Sequence, residues 1–352
     1  SPLPERMSDQ KFYKFFDDYL EEHLRQHPVY ASQLGDHRYD DQIENLSVEA
    51  RQNRTALQRQ TLARLTGEIS HDDLSRSAQI DLEVFRHHLE EQIWLAEHIP
   101  AFEEDPRSYN HYLSGSVYSL LTQSSLPHEE NISNVIARIR QLPKVVAEAR
   151  RTLTNPPLPV LETSINQNRG VIGFYEKGIY ELAGDSPQCT ELKKVADDLL
   201  VHLRAYQEFL ETDLRARARS EWRLGKENFD RKLQFAANGD ITADEVLARA
   251  EDEFHRVTGE MYVTARQLWG RYHPGAPLPP DDATGRHETI TRVLDAVGRE
   301  HGEPANLLAD ARATVDKLKD FIAKNDILRL PDPDRCELKE MPEFHRGNSL
   351  AY

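Results

Sequence analysis

Apolar residues recur at intervals of three and four along most of the chain, which is the period of an amphipathic α-helix. Three stripes of this kind each extend over about six helical turns. The first stripe comprises Ile132, Ile136, Ile139, Leu142, Val146, Ala149 and Leu153. The second comprises Leu192, Val195, Leu199, Leu203, Tyr206, Leu210 and Leu214, and the third Val246, Ala250, Phe254, Val257, Met261, Ala265 and Leu268. Each stripe lies on one helix face, so we expect each face to be buried against another helix.

Turn-forming residues divide these periodic stretches into about nine or ten helices. Thr242, with Glu245 three residues later, is typical of a capping box and starts the helix of the third stripe. Pro143 lies inside the first stripe, where we expect the helix to kink or restart. Strand-like alternation is found in the closing stretch CELKEMPEFHRGNSLAY, where Pro342 and Gly347 interrupt it. The sequence therefore predicts an all-α fold, a large elongated array of helices with at most a short strand-like segment near the C-terminus.

Charge and cysteine content exclude several classes of protein. The 352 residues include 60 acidic and 44 basic ones, which gives a formal net charge of −16. Such a surface repels phosphate backbones and anionic lipid, so nucleic acid and membrane surfaces are disfavoured as partners. Cys189 and Cys336 are the only cysteines, which excludes a disulfide scaffold. No apolar run reaches the roughly 18 residues that a membrane span requires.

The sequence contains no complete catalytic or metal-binding motif. A zinc-peptidase helix needs two histidines four residues apart, because that spacing puts both imidazoles on one face beside a water-activating Glu. Two His-Glu pairs occur, but the second histidine is replaced by Ile132 after one pair and by Thr291 after the other. A Gly-x-Ser-x-Gly nucleophile motif is also absent. The sequence therefore predicts no catalytic residue and no metal ligand in this chain.

One glycine pair lies within a helical pattern. Gly170 and Gly173 come directly before Phe174. We interpret them as a site of close helix packing, and a phosphate-binding loop is the alternative.

Two polar–aromatic clusters are candidate ligand contacts. One contains Tyr109 and Tyr112 at a junction between a loop and a helix, and the other contains Trp222 and Arg223 between two helices. Side chains with an apolar body and a polar tip often line ligand clefts. The same residues also serve as helix caps and packing, so both interpretations stay open here.

Several segments, taken in order, resemble one bacterial family. They are FFDDYLEEHLRQHPVYASQLGDHRYDDQIENLSVEARQNR, DPRSYNHY, NVIARIRQLPKVVAEARRTL, EWRLGKENFDRKLQFAANGDITADEVLARAEDEF and ELKEMPEFHRGNSLAY. The family is the one called domain of unknown function 885, and the resemblance covers essentially the whole chain.

The resemblance implies a zinc-dependent peptidase of the gluzincin type, similar to helical oligopeptidases that enclose a channel. In that family the zinc helix and a further Glu ligand follow the segment that ends this chain. The resemblance thus implies an N-terminal portion that supplies one wall of the substrate channel. Zinc is then expected in the full-length protein and not in this chain, and the expected partners are short peptides and a missing C-terminal catalytic half.

The resemblance also implies a division of labour along the chain. Residues 1–335 are expected to form the helical body of the peptidase-like domain, and residues 336–352 an extended segment that lines the cleft. In that segment His345, Arg346 or Tyr352 is expected to reach a substrate carboxylate or oxyanion.

Two other functions stay open at this point. The first is a non-catalytic helical binding or scaffold protein. The second is a helical regulator that binds a small ligand near Tyr109 and Trp222. Members of the family often carry export signals, which favours the bacterial periplasm or envelope, and a cytoplasmic location stays open.

Overall fold

The all-α fold is confirmed by the structure, a computed structural model that describes residues 6–334 and 336–347. Those residues form thirteen helices and no sheet, which is more helices than the nine or ten predicted. The extra ones include helices of six and four residues, Pro28–Gln33 and Ala101–Glu104. Helices of one or two turns are too short to show a hydrophobic period in the sequence.

The described residues group into two compact units, and the first comprises residues 6–228 and 342–347. Its helices are α1 Met7–Gln26, α2 Pro28–Gln33, α3 Val48–Glu68, α4 Arg76–His98, α5 Ala101–Glu104, α6 107–122, α7 His128–Thr152, α8 158–183 and α9 189–214. Three of them include a π-helical turn: α6 at His111–Gly115, α8 at Phe174–Gly178 and α9 at Leu210–Leu214.

The core of the first unit lies among helices α6 to α9. Every residue of the first and second stripes is buried there, as predicted. Helix α7 continues through Pro143 without a break, so the predicted restart is wrong. Buried neighbours on both sides, Leu142 and Val145, hold the helix in place although proline removes one backbone hydrogen bond.

A buried arginine ties the chain between α2 and α3 to this core. Arg138 on α7 is fully buried, and its guanidinium donates to the carbonyl oxygen of Ser116 at 2.7 Å and to Ser32 Oγ at 2.6 Å. The Ser32 hydroxyl in turn donates to the buried carboxylate of Asp40, which also pairs with His37 Nδ1 at 2.8 Å. Loss of hydration lowers the pKa of Arg138 to about 10, so the guanidinium is still charged at neutral pH.

The second unit comprises the described residues from 229 to 341. Helix α10, Lys226–Ala237, begins just before this unit and continues into it. The other helices are α11 Ala243–Tyr272, α12 Ala283–Gly298 and α13 Leu307–Asn325. The predicted capping box at Thr242 and Glu245 is present at the start of α11. A small core joins α11 to α12 through Tyr262, Trp269 and Ile290.

Much of the apolar surface in the second unit is uncovered. The prediction that the third stripe is buried is wrong for most of its residues: of the seven, Ala265 is buried, whereas Phe254 is 67% exposed. Helix α13 has no buried residue, and its Phe321 is 56% exposed. These helices are amphipathic, but within the described residues nothing covers their apolar faces. No described helix is both long and apolar enough to cross a bilayer.

Replacing Arg138 by Met should lower the free energy of unfolding by about 3 kcal/mol, because it removes the buried donors to Ser32 and to the Ser116 carbonyl and a positive charge near the buried Asp40 carboxylate. Arg140→Met on the same helix is the matched control, since Arg140 forms an exposed ion pair with Glu191. That change should cost less than about 1 kcal/mol. Urea unfolding of the two variants measures the difference. Equal, small losses would show that the buried network does not anchor the chain before α3.

Candidate functional site

A groove runs along helix α8 in the first unit, and the closing residues of the described chain form its other wall. Its volume is about 770 Å³. The lining residues are Tyr118, Thr163, Asn166, Arg169, Gly170, Gly173, Phe174, Gly178, Glu181, Leu182, Pro342, Glu343, Phe344, Arg346 and Gly347. Residues from Thr163 to Leu182 span about 28 Å along the helix axis, at 1.5 Å per residue. An extended peptide of about eight residues has the same length.

Gly170 lets the closing segment lie directly on the backbone of α8. A Cβ atom at this position would be 2.8 Å from the Phe344 nitrogen and 2.9 Å from the Glu343 carbonyl carbon, and real Cβ atoms do not approach backbone so closely. Farther along, a Cβ at Gly347 would be 2.8 Å from Thr163 Cγ2. The segment therefore runs antiparallel to α8.

One side-chain hydrogen bond reinforces this contact. Gln167 Nε2 donates to the carbonyl oxygen of Arg346 at 3.1 Å. Gln167 is itself buried, and its Oε1 accepts from Asn110 Nδ2 of α6 at 3.1 Å. The closing segment is thus connected through α8 to the core of the first unit.

An aromatic cluster forms part of the groove wall. The ring of Tyr118 meets Phe344 edge-to-face, with centroids 5.4 Å apart, and meets Phe174 at 6.2 Å. Phe344 and Phe174 are themselves 5.2 Å apart. Both phenylalanines are buried, whereas Tyr118 is half-buried and lines the groove. Edge-to-face rings at these separations attract one another, so the cluster gives the groove a fixed apolar wall.

Two arginines also line the groove. Arg169 forms an ion pair with Glu211 and a hydrogen bond with Asn166, both in contact with solvent. Arg346 pairs with Glu343 at 2.8 Å, and the side chains of these residues are 49% and 63% exposed. Exposed ion pairs contribute little to stability, so either arginine can exchange its partner for a ligand carboxylate at small cost.

The chain matches the family model described as "Bacterial protein of unknown function (DUF885)" over residues 28–352. The chain belongs to this family. The family predicted from the sequence segments is therefore confirmed.

A solved structure has a similar fold. It is that of a candidate lipoprotein of unknown function from Shewanella oneidensis, with a TM-score of 0.73 and 22% sequence identity. The likeness covers 94% of the DUF885 chain and 61% of the Shewanella oneidensis chain, so the DUF885 chain spans only part of the length of its relative. At this identity the likeness shows the fold alone. No curated protein matches the chain.

The DUF885 groove includes some of the residues that the sequence singled out. Arg346 lines it, and the ring of His345 lies 6.0 Å from that of Tyr118 at its edge. Burial, followed by the nearby imidazole of His111, lowers the pKa of His345. Tyr352 lies outside the described residues.

The remaining candidates are not among the residues that line the groove. Tyr109 is fully buried, and its hydroxyl donates to the carbonyl oxygen of Phe102 at 3.0 Å, so it is a core residue. Tyr112 is partly buried against the same core. Trp222 is 56% exposed and stacks with the Arg223 guanidinium, 4.6 Å from the ring centroid.

The residues of the aromatic cluster were not predicted from the sequence. Tyr118, Phe174 and Phe344 come from three separate segments, and the sequence gives no sign that they meet. The glycine pair Gly170 and Gly173 is a sequence signal for close packing at this place. The interpretation of close packing is confirmed at Gly170, whereas a Cβ at Gly173 would have no atom within 4 Å.

A second, smaller cleft lies between α1 and α3, with a volume of about 210 Å³. His23 and His27 stack in it with their centroids 4.2 Å apart. Burial, then the neighbouring His27, lowers the pKa of His23 to about 4, so this imidazole is neutral at physiological pH. The cleft is too small for an extended peptide, and the groove along α8 is the better candidate site.

The family resemblance implies zinc in the full-length protein and not in this chain. Within residues 6–334 and 336–347, no three His, Cys, Asp or Glu side chains come together in a group able to hold a metal ion. We therefore assign no reaction step to a metal held by these residues.

Gly170→Ala should displace the closing segment, because the added methyl group meets backbone atoms that cannot rotate away. Gly173→Ala, three residues along, meets open space and should stabilise the chain by about 1 kcal/mol through helix propensity alone. Thermal unfolding shows whether each substitution stabilises or destabilises the chain. Hydrogen exchange at Phe344 and His345 reports the displacement of the closing segment. Stabilisation by both substitutions would show that the segment does not pack on Gly170.

Proposed function

We propose that this chain is the N-terminal, substrate-binding portion of a zinc-dependent peptidase and that the α8 groove holds a short peptide in extended form. The observation that carries the proposal is the groove itself. It is long and open, and an aromatic cluster and two exposed arginines line it. An apolar cleft with a few well-placed polar groups is typical of ligand sites.

The groove offers a peptide two kinds of interaction. Its aromatic cluster can bury apolar side chains of the peptide. Its arginines, Arg169 and Arg346, attract carboxylates, including the C-terminal carboxylate of the peptide. The ion pairs of Arg169 and Arg346 are exposed, so a peptide carboxylate replaces one acidic partner with another at little cost. The residues of this chain thus bind and orient the substrate, and the metal would come from the rest of the protein.

We further propose that the missing catalytic half covers the apolar faces of α11 and α13. The observation in favour is that Phe254 and Phe321 are 67% and 56% exposed. A helix with a bare apolar face is marginal in water, so a covering partner is expected. The solved relative has additional chain, since the likeness covers only 61% of it, and we assign the covering role to the corresponding part of the longer protein.

A location in the bacterial envelope is part of the proposal. The relative from Shewanella oneidensis is a candidate lipoprotein, and lipoproteins are anchored to membranes by a lipid. Short peptides are a reasonable substrate class for such a compartment.

The groove predicts binding of octapeptides with free carboxyl ends. Gly173→Gln should weaken binding at least about tenfold, since its side chain would occupy the open space of the groove. Gly67→Gln is the matched control, because Gly67 also lies on a helix with no atom within 4 Å of an added Cβ but outside the groove. Fluorescence polarisation of a labelled octapeptide mixture measures the peptide affinity of both variants. Equal affinities for the two variants, or no binding by the wild-type chain, would refute the peptide groove.

The uncovered faces predict a specific pattern of mutational effects. Phe321→Gln should change the stability of this chain by less than about 0.5 kcal/mol, because the side chain has no buried contacts to lose. It should also reduce binding of a hydrophobic dye. Phe209→Gln, at a buried position of α9, is the control and should cost about 3 kcal/mol. A stable dimer that Phe321→Gln dissociates would show that a second copy covers this face instead.

A further inference from the structure

We propose that the aromatic cluster of the groove, formed by Tyr118, Phe174 and Phe344, is part of a specificity pocket for one large aromatic or aliphatic side chain of the bound peptide. This inference rests on the proposed function and adds the class of substrate. Three features of the groove support it: the partly exposed ring of Tyr118, the open space at Gly173, and the ion pairs that already engage most of the charged lining residues.

The ring of Tyr118 is fixed but not fully covered. Its edge-to-face contacts with Phe174 and Phe344 set its orientation, with interplanar angles of 72° and 73°. The two phenylalanines are 6% and 4% exposed, so they are already buried by the protein. Tyr118 alone among the three is half-buried, and it lines the groove. A ligand ring that packs on it therefore gains contact without any rearrangement of the wall.

A missing side chain at Gly173 leaves room for that ligand ring. Gly173 precedes the π-helical turn Phe174–Gly178, whose hydrogen bonds join residues five apart. Gly173 lines the groove, and an added Cβ there would have no neighbour within 4 Å, whereas a Cβ at Gly178 would be 3.1 Å from the Phe174 ring. Leu182, another groove residue, lies one helical turn beyond Gly178 and extends the apolar surface. The helix thus presents a gap with an apolar border.

The charged residues of the groove are mostly paired. Among the described residues, four charged side chains line it: Arg169, Glu181, Glu343 and Arg346. Arg346 pairs with Glu343 and Arg169 pairs with Glu211, so three of the four already have a charged partner. Because the ring of Tyr118 and Leu182 give the gap an apolar border, an uncharged, large side chain is the group best matched to it.

The test uses the wild-type chain and a set of octapeptides of Ala and Ser with free carboxyl ends. In each peptide one position carries Phe, and the unsubstituted peptide is the reference. At least one placement of Phe should bind about tenfold more tightly than the reference, because burial of a phenyl ring contributes that much or more. Isothermal titration calorimetry measures each affinity.

The outcomes separate this inference from the proposed function. If the reference and all Phe peptides bind equally well, the specificity pocket is refuted while the peptide groove stands. If no peptide binds, the proposed function itself is refuted.

Substitutions locate the preference. Tyr118→Ala should abolish the tighter binding of the best Phe peptide, and Tyr118→Phe should retain it, since the ring and not the hydroxyl makes the contact. Trp222→Ala removes an exposed aromatic side chain outside the groove and should leave the preference unchanged. Loss of the preference in Trp222→Ala but not in Tyr118→Ala would place the pocket elsewhere. Thermal unfolding checks that each variant is folded, and the peptide series on the wild-type chain remains decisive if Tyr118→Ala is not.

Discussion

The absence of a side chain at Gly170 is the constraint on which the candidate site depends. Because the helix backbone is bare at this position, the Glu343–Phe344 peptide group lies against it at a distance that any Cβ would block. That contact brings Phe344 into the aromatic cluster and places Arg346 on the groove wall. One glycine thus determines where the end of the described chain lies, and the shape of the groove follows from it.

The body of the first unit provides the rigidity that such a site requires. Helices α6 to α9 bury two complete apolar stripes, and the guanidinium of Arg138 ties the segment before α3 to the same core. The π-helical turns in α6 and α8 lie in this region, and the turn at Phe174–Gly178 carries residues of the groove wall. A binding site on well-packed helices keeps its geometry better than one on loops.

The sequence predicts a structural feature correctly where a local pattern of residues determines that feature. The stripes of α7 and α9 are predicted correctly because both helices lie in a core, where amphipathicity and burial coincide. The stripe of α11 has the same pattern but is mostly exposed. Periodicity indicates that a helix face is apolar, but it does not indicate which element covers that face. Tyr109 and Tyr118 lie on the same helix, α6, yet one is buried in the core and the other lines the groove. That difference depends on tertiary packing, as does the meeting of Phe344 with Phe174, about 170 residues away along the chain.

The most direct test of the central claim is to find where a peptide binds. An octapeptide carrying a photoreactive benzophenone side chain can be cross-linked to the wild-type chain and the attached residues identified by mass spectrometry. We expect the cross-links on α8 between Thr163 and Leu182, on Tyr118, and on residues 342–347. Cross-links concentrated in the α1–α3 cleft or around Trp222, with none along α8, would contradict the account.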